Sequence, residues 1–408
     1  MLKALKYRLY PTKEQEKTLV EWQGQLRFVW NSFLKSNIDR YNKEKKFNFK
    51  FDMTNMLPDL KKNNIWMNAP RQSFQQVVLQ LDTALKNCYK FKFGFPKFKS
   101  KNKQPQGIKI PQTGTHIKIG PKFIKIPKLG EIKWIKHRNL VGTLKSVTIT
   151  KDVDQWYISC LCESNICSEL KEVKSVENDI TAIDLGIKVF LMDSNGVIIE
   201  SPKYLKKSEN KLKRYQRQYS NKKKGSKNLN KAKLKLAKLH RKVRFQRKDF
   251  LHKLSNQIAN ENSIVICEDL AVQNMTHNHK LAKAISDQGW SQFISYLEYK
   301  MNWTGGSLIK IDRFSPSSKL CSCCGNKQKI SLAERTYTCS SCGLILDRDY
   351  NATLNIKAFG LKMLAITNTE GTSEIDACGD TSIEEIGSPT SRFVSKKQEK
   401  LTRELHVF

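Results

Sequence analysis

The amino-acid sequence predicts a multidomain protein that combines α/β structure, a small β-barrel and a cysteine-rich ribbon. Three features lead to this fold class. Four cysteines form two Cys-x-x-Cys pairs, three acids stand at the end of an apolar strand or the start of a helix, and short alternating segments fill residues 107–162. A chain of 408 residues is long enough for two or three such domains, each with its own hydrophobic core.

The net charge of +35 is the most extreme property of the composition. It exceeds what solubility requires and indicates a polyanionic partner. We expect nucleic acid rather than an anionic membrane surface, because no amphipathic lipid-binding helix stands out. No segment approaches the roughly 18 apolar residues of a membrane span, and the first residues lack the apolar core of a signal peptide. We therefore expect a cytoplasmic protein without a membrane partner.

The N-terminal region predicts one strand followed by helices. Residues 3–10 alternate between apolar and polar side chains, and Pro11 and Thr12 then end the strand and cap a helix. The helical pattern continues to about Lys92. Its two apolar faces consist of Leu19, Trp22, Leu26, Val29, Trp30 and Phe33, and of Phe74, Val77, Val78, Leu81 and Leu85. We interpret these side chains as core and assign residues 11–99 to a helical lobe.

Two features of this lobe suit nucleic acid. Gln76 and Gln80 share one polar side of a helix and could contact base edges, although a merely solvated face has the same pattern. In residues 90–99 lysines alternate with aromatic rings, so Lys90, Lys97 and Lys99 are candidates for phosphate contacts. The alternative for this stretch is a structural aromatic strand.

Residues 107–162 predict several short strands, because apolar and basic residues alternate between Pro and Gly. We expect a small β-barrel or sandwich built from residues 1–10 and 100–170, in which the strand around Tyr7 takes part.

At residue 179 a polar linker gives way to apolar strand segments, and an α/β domain is predicted to begin. An apolar strand carries Asp184 at its end, and a tight turn at residues 194–196 joins two further strands. A strand that carries an acid, followed by a hairpin of two further strands, is typical of the start of an RNase H-like sheet. A second buried strand ends at Glu268, a helix and a strand follow to residue 311, and the helix after Asp349 closes the domain. Its predicted bounds are 179–312 and 346–365.

The strongest charge run lies at residues 201–250, which hold 20 Lys and Arg against two acids, a net charge of 20 − 2 = +18. Its apolar spacing predicts two long helices hinged near Gly225, within a basic insertion at 203–260. A run this dense repels itself without phosphate, which favours nucleic-acid contact over a solvated face. The candidate contacts are Lys222, Lys223 and Lys224.

The cysteine pairs predict a zinc ribbon at residues 313–345. Zn²⁺ prefers four thiolates in a tetrahedron, and the turn between each pair is eased by a following glycine. The expected ligands are Cys321, Cys324, Cys339 and Cys342. A disulfide pair is the alternative, but nothing indicates secretion. Cys323 could replace a ligand, and Arg335 is a candidate for nucleic-acid contact.

Asp184, Glu268 and Asp349 form the predicted catalytic set. Each projects from a rigid end of an element, so three acids distant in sequence can meet around a pair of divalent ions. Two Mg²⁺ ions bound by carboxylate oxygens are the usual catalysts of phosphodiester hydrolysis. Asp269 and Asp347 could be mistaken for these ligands, and Asp193 fits the hairpin turn. The seven histidines lack a nucleophile context, which argues against a Ser/His/Asp hydrolase.

The chain resembles the TnpB family, the transposon-encoded RNA-guided nucleases regarded as ancestral to the type V CRISPR effectors. The resemblance covers residues 3 to about 360. It depends on Lys6–Thr12, Gly94–Lys99, Ala182–Gly186, Ile266–Leu270, the two cysteine pairs and Asp347–Ala352. Thr353, where a second alanine is common, and the extra Cys323 are small departures.

The resemblance implies a fold, partners and a reaction. The fold would be a wedge-like β-barrel with an inserted helical recognition lobe, then a RuvC-type nuclease with an inserted zinc-bearing element for target nucleic acid. Asp184, Glu268 and Asp349 fall on the family's catalytic positions. The implied partners are a guide RNA from the transposon end, one protein per guide RNA, and double-stranded DNA beside a short flanking motif. The implied location is the prokaryotic cytosol, in association with the nucleoid.

Three alternatives stay open at this point. A miniature type V CRISPR effector would share the chemistry and differ in its genomic neighbours. A non-catalytic RNA-guided DNA-binding regulator would bind without cutting. A transposase that joins strands itself is disfavoured by the resemblance. Residues 366–408 hold few apolar anchors, and we expect a flexible tail.

Overall fold

The computed structural model describes residues 2–91, 94–101, 106–111, 116–164, 179–331 and 334–370. Two compact units divide the chain at residue 360. Of the second unit, residues 361–370 are described, and they form the end of a helix, so most of the predicted tail lies outside the described residues. Among the described helices, none is both long and apolar enough to span a bilayer.

The first sheet is antiparallel, and its strand order is β2-β6-β7-β1-β5-β4-β3. Its strands are β1 (Leu2–Tyr10), β2 (Ile108–Pro111), β3 (Lys118–Ile119), β4 (Phe123–Ile126), β5 (Gly130–Ile135), β6 (Thr143–Asp152) and β7 (Gln155–Glu163). The N-terminal strand lies in the middle, between β7 and β5. The participation of Tyr7 is therefore confirmed. In the described residues the ladder runs from β2 to β3, and closure into a barrel stays a prediction.

Three helices follow β1 before the chain returns to this sheet: α1 (Lys13–Glu44), α2 (Lys50–Lys62) and α3 (Arg71–Phe91). Thr12 caps α1 as predicted, because its hydroxyl accepts from the Gln15 N–H at 3.2 Å while the Gln15 side chain accepts from the Thr12 N–H at 3.0 Å. Both predicted apolar faces are buried. They pack in one cluster with Tyr7 and the inward side chains of the sheet, which confirms their interpretation as core.

Of the lysine and aromatic stretch, residues 90–91 end α3, and residues 94–99 lie along α1 without forming a strand. Trp30 Nε1 donates to the Lys97 carbonyl at 3.1 Å, and the Asn31 amide exchanges two hydrogen bonds with the backbone of Lys99. The alternative of a structural aromatic strand is therefore wrong for these residues. Pro96 and Gly94 do not suit a strand ladder, and the α1 side chains satisfy the backbone instead.

The second sheet is mixed, with the order β10-β9-β8-β11-β12. Its strands are β8 (Ile180–Leu185), β9 (Val189–Asp193), β10 (Ile198–Glu200), β11 (Ile264–Glu268) and β12 (Ser307–Ile311). The first three form a meander, while β8, β11 and β12 are parallel. The predicted hairpin is confirmed: Asp193 Oδ1 accepts from the N–H groups of Asn195 and Val197, and Gly196 has a φ of 83°.

Helices connect and cover the parallel strands: α4 (Tyr204–Ser220), α5 (Lys227–Glu261), α6 (Val272–Met275), α7 (His279–Gln288), α8 (Trp290–Thr304) and α9 (Arg348–Glu370). The basic run forms α4 and α5, with Gly225 at a φ of 83° in the turn between them, so the predicted hinge is confirmed. The second half of α5 buries Leu251, Leu254 and Ile258 against α8 and the sheet. That half therefore belongs to the core of the second sheet.

Part of the basic run is used within the protein. Arg241 donates to Asp154 at 2.6 Å and to the carbonyl of Asp152 at 2.9 Å, and Lys238 also pairs with Asp154. Both acids lie at the turn between β6 and β7. These contacts fasten α5 to the first sheet, a role that the charge run alone did not predict.

Candidate active site and cysteine cluster

Asp184 and Glu268 stand side by side at the ends of neighbouring parallel strands. The register pairs Ile183 of β8 with Cys267 of β11, so the next residue of each strand is one of the two acids. The carboxyl ends of parallel strands leave a sheet at one edge, where side chains from separate strands converge. Both acids are partly buried.

Asp349 comes from the first turn of α9. Asp347 caps this helix, because its Oδ1 accepts from the N–H of Asp349 at 2.9 Å and of Tyr350 at 3.1 Å. Asp347 is used as the cap, and Asp349 lines the same cavity as Asp184. Arg335 Nη1 lies 3.4 Å from Asp349 Oδ2.

The three acids share one electrostatic environment. The pKa of Asp184 is raised from 3.8 to about 7, first by burial and then by the negative charges of Glu268 and Asp349. Such mutual repulsion of carboxylates is relieved when a cation binds between them. The donor set therefore suits a hard divalent ion.

The acids are not packed as closely as the cysteines. In the described part of the chain, the four cysteines are the one group of at least three metal-ligating side chains whose ligand atoms all lie within 4.8 Å of one another. Glu268 Oε1 accepts instead from the Ser317 hydroxyl at 2.5 Å. Two of the acids are thus held by protein partners, Glu268 by Ser317 and Asp349 by Arg335.

The neighbouring acids have structural roles. Asp269 pairs with Arg313, Asp193 organises the hairpin turn, and Asp347 caps α9. Each of the three therefore has a structural contact, and their exclusion from the catalytic set stays a prediction.

A cavity of about 850 Å³ adjoins Asp184 and Asp349. Two arginines beside the cysteine ribbon and five lysines from other parts of the chain line this cavity together with the two acids. These basic residues are Lys188, Lys203, Lys206, Lys280, Lys283, Arg335 and Arg348. Arg335 was a predicted contact, and Lys203 and Lys206 belong to the predicted basic run. The other four were not predicted, because they come from separate short segments. A basic residue just after the strand of Asp184 was the available signal for Lys188.

The four cysteine sulfurs of the ribbon lie close enough together to share one ion. Cys321 Sγ lies 3.6 Å from Cys342 Sγ, and Cys324 Sγ lies 3.6 Å from Cys339 Sγ. Bonds of about 2.3 Å from a central zinc would place thiolates about 3.8 Å apart. The sulfurs therefore have the spacing of a zinc site.

Local structure explains how these cysteines meet. Gly325 and Gly343 follow the two pairs with φ of 73° and 72°, as the turns require. Strands β13 (Thr336–Thr338) and β14 (Ile345–Asp347) form the ribbon hairpin beside the cluster. Backbone N–H groups of Cys342 and Ser341 lower the pKa of Cys339. The pKa of Cys342 is raised, because its contacts with neighbouring cysteine sulfurs outweigh the hydrogen bond from the Leu344 N–H. Cys323 is exposed and outside the cluster, so it does not replace a ligand here.

The candidate nucleic-acid contacts lie in separate places. Lys90, Lys97, Gln80, Arg335 and the Lys222–Lys224 turn are exposed, and Gln76 is partly buried. The Lys99 ammonium lies 3.6 Å from the centroid of the Trp30 ring and donates to Gln106 at 2.9 Å, so this lysine has a packing role. Contact of any of these residues with nucleic acid stays a prediction.

Comparison with protein-family models gives three matches to separate parts of the chain. A family described as "Probable transposase" matches residues 163–279, and a family described as "Cas12f1-like, TNB domain" matches residues 290–356. A family described as "Helix-turn-helix domain" matches residues 1–46. In that range the structure has β1 and the single 32-residue helix α1 rather than two helices joined by a turn.

Two relatives with assigned names span most of the chain, and a third spans about half of it. A Streptomyces pristinaespiralis protein named as an RNA-guided DNA endonuclease is 35% identical over 365 residues, which are 88% of this chain and 89% of the relative. InsQ of Escherichia coli K12, with the same kind of name, is 29% identical over 89% of this chain and 94% of its own length. A TnpB-like protein of Methanocaldococcus jannaschii is 30% identical over 48% of this chain and 74% of its own length.

A solved structure shares the fold. The Cas12f1 chain of a complex with single-guide RNA and target DNA superposes with a TM-score of 0.54 at 15% identity, over 88% of this chain and 98% of that one. At this identity the match supports the fold alone.

Proposed function

Because the chain belongs to the TnpB family, we propose that it is an RNA-guided DNA endonuclease of a transposable element, which cleaves DNA beside a short flanking motif. The guide RNA would come from the transposon end. The observation that carries the proposal is the register of β8 and β11, which sets Asp184 and Glu268 side by side at one sheet edge. The strand order around them is the reason to propose a RuvC-type nuclease domain.

Asp184, Glu268 and Asp349 would hold two Mg²⁺ ions. When bound, such ions supply Lewis acidity to both the attacking and the leaving oxygen of a phosphodiester. The raised pKa of Asp184 supports this role, since its ionisation is costly until a cation compensates the two neighbouring carboxylates.

The remaining residues of the cavity would bind and orient the DNA strand. Lys188, Lys203 and Lys283 line the cavity together with Asp184 and Asp349. The Lys283 ammonium is paired with Glu209 at 2.5 Å, so a phosphate would have to compete with that carboxylate for it. Phosphates bound there would be held near the carboxylates without any reading of sequence. Sequence would be read by pairing with the guide RNA.

The cysteine cluster would hold one structural zinc ion. Its four sulfurs have the required spacing, and the chain enters α9 directly from β14 of the ribbon. A zinc-bound ribbon would therefore fix the start of the helix that carries Asp349. This arrangement supports assigning residues 313–345 to a target-nucleic-acid-binding element.

We propose the predicted domain division for the rest of the chain. Residues 1–10 and 100–170 would form the wedge-like barrel, 11–99 the recognition lobe, and 179–312 with 346–365 the nuclease. One protein per guide RNA, in the cytoplasm of a prokaryotic cell, is the proposed working state.

The test is to purify the protein from cells that carry its native locus and to sequence the RNA that copurifies. One abundant short RNA is expected, and the complex should cleave a matching duplex in Mg²⁺. Asp184→Ala should bind the same duplex and leave it intact. Binding by the wild-type complex without cleavage would favour an RNA-guided regulator, and a stable protein free of RNA would refute the proposal.

A further inference from the structure

The connecting segment between β12 and the ribbon, residues 312–320, contacts a predicted catalytic acid. Ser317 lies in the middle of this segment and is only 6% exposed. Its hydroxyl donates to Glu268 Oε1 at 2.5 Å. Leaving a buried hydroxyl or a carboxylate oxygen without a partner costs free energy, so both groups favour this contact.

The backbone of Ser317 is held on both sides. Its N–H donates to the Ser315 carbonyl at 2.8 Å, and its carbonyl accepts from Asn355 Nδ2 at 2.7 Å. Asn355 is 3% exposed, lies on α9 and also donates to the Leu320 carbonyl. The hydroxyl is therefore presented to Glu268 from a fixed point.

A second asparagine of α9 fixes the end of the same segment. Asn351 donates to the Leu320 carbonyl at 2.7 Å and accepts from the Ser322 N–H at 3.0 Å. Asn351 is fully buried. Asp349 lies two residues before it, so the connecting segment is tied to the helix of one acid and to the carboxylate of another.

We propose that Ser317 is a positioning residue, which holds one oxygen of Glu268 so that the carboxylate keeps the orientation needed to bind a divalent ion together with Asp184. A glutamate side chain has three rotatable bonds, and restricting them before the ion arrives removes an entropic cost from binding. Hydrogen-bond partners behind metal ligands typically change metal affinity or activity 10–100-fold when they are removed. This inference rests on the proposed function.

The test uses guide-bound, zinc-loaded complexes of six proteins: the wild type, Ser317→Ala, Ser317→Cys, Ser317→Thr, Ser318→Ala and Asp184→Ala. The cysteine variant keeps the volume of serine but provides only a weak donor, and the threonine variant keeps the hydroxyl. Ser318 is the matched control, because the described part of the structure shows no side-chain hydrogen bond for it. Zinc content and melting temperature report whether each variant is folded.

Two measurements are made on each complex. Mn²⁺ binding is followed by the loss of the free-ion paramagnetic resonance signal, and the binding that disappears in Asp184→Ala defines the acid site. The Mn²⁺ concentration that gives half-maximal cleavage is measured in parallel. We expect a 10–100-fold weaker site in Ser317→Ala and Ser317→Cys, with near wild-type values in Ser317→Thr and Ser318→Ala.

The results separate this inference from the proposed function. If wild type cleaves, Asp184→Ala does not, and both Ser317→Ala and Ser317→Cys bind Mn²⁺ as wild type does, the inference is wrong and the function stands. If Ser317→Ala does not fold, the cysteine variant alone decides. If the wild-type complex does not cleave, the proposed function itself fails.

Discussion

At the scale of single residues, Asp184 is where stability and proposed activity conflict most. Its pKa of about 7 in the folded protein is well above the ordinary 3.8. A carboxyl group with a raised pKa binds its proton more tightly when folded, so the metal-free protein loses stability as the pH rises from about 4 to about 7. The two pKa values correspond to a cost of about 4 kcal/mol at most at pH 8.

Asp184→Asn should therefore stabilise the RNA-free, magnesium-free protein at pH 8 while abolishing cleavage by the guide-bound complex. The gain should be at most about 4 kcal/mol and should shrink at pH 5, where the wild-type carboxyl is already protonated in the folded state. Thermal unfolding at both pH values measures it. Asp193→Asn, which makes the same change in the hairpin turn, should give no such gain, and a destabilised Asp184→Asn would contradict the electrostatic argument.

Residue identities were predictable where chemistry restricts them. Cysteine spacing and acids at strand ends indicated the ligands, because few residue types can bind zinc or magnesium at those places. Ser317 was not predictable, since a serine in a Ser-Pro-Ser-Ser segment is ordinary loop composition. Its role depends on a contact with Glu268, 49 positions earlier, that only the packed structure brings about.

At the scale of elements, α5 combines two roles that its sequence does not separate. Its lysines and arginines look alike as a charge run, yet the Arg241 side chain is only 10% exposed and pairs with the turn between β6 and β7. Hydrogen bonds from Lys238 and Arg241 outweigh burial and lower the pKa of Asp154 to about 2. The stabilisation is therefore present at neutral pH and is lost only as the pH falls toward 2.

Arg241→Ala should destabilise the RNA-free protein by about 1–3 kcal/mol at pH 7, because Asp154 and the Asp152 carbonyl lose a partly buried charged donor. The midpoint of urea unfolding measures the loss. Lys242→Ala, which removes the same charge from an exposed neighbour, is the control and should change the midpoint by less than about 0.5 kcal/mol. Equal effects would mean that net charge, not the contact, determines the result.

The order of elements was largely predictable, and so was the membership of β1 in the first sheet, but its pairing partners were not. Alternation, a cap at Thr12 and a glycine at 225 are local signals for strands and helices, and the structure confirmed them. The placement of β1 between β7 and β5 depends on pairing across more than 120 residues. Sequence periodicity carries no information about such distant partners.

At the scale of the whole molecule, the charge of +35 determines how the protein meets nucleic acid. Each phosphate contact releases condensed counterions, so the affinity for RNA falls with salt in proportion to the number of contacts. A cationic side chain that pairs with an acid inside the protein, as Arg241 does with Asp154, does not add to the number of phosphate contacts. The exposed turn at Lys222, Lys223 and Lys224 remains available, because its backbone is held by turn hydrogen bonds while its side chains face solvent.

Replacing these three lysines with glutamine should weaken guide-RNA binding and flatten its salt dependence. If each contacts one phosphate, the slope of log affinity against log salt should fall by roughly 2. Filter binding at several NaCl concentrations measures the slope, and arginine at the same three positions should keep it, since the charges are retained. An unchanged slope in the glutamine variant would place the turn outside the RNA interface. The other lysines of α4 and α5 would then have to explain the binding, since both helices are rich in lysine.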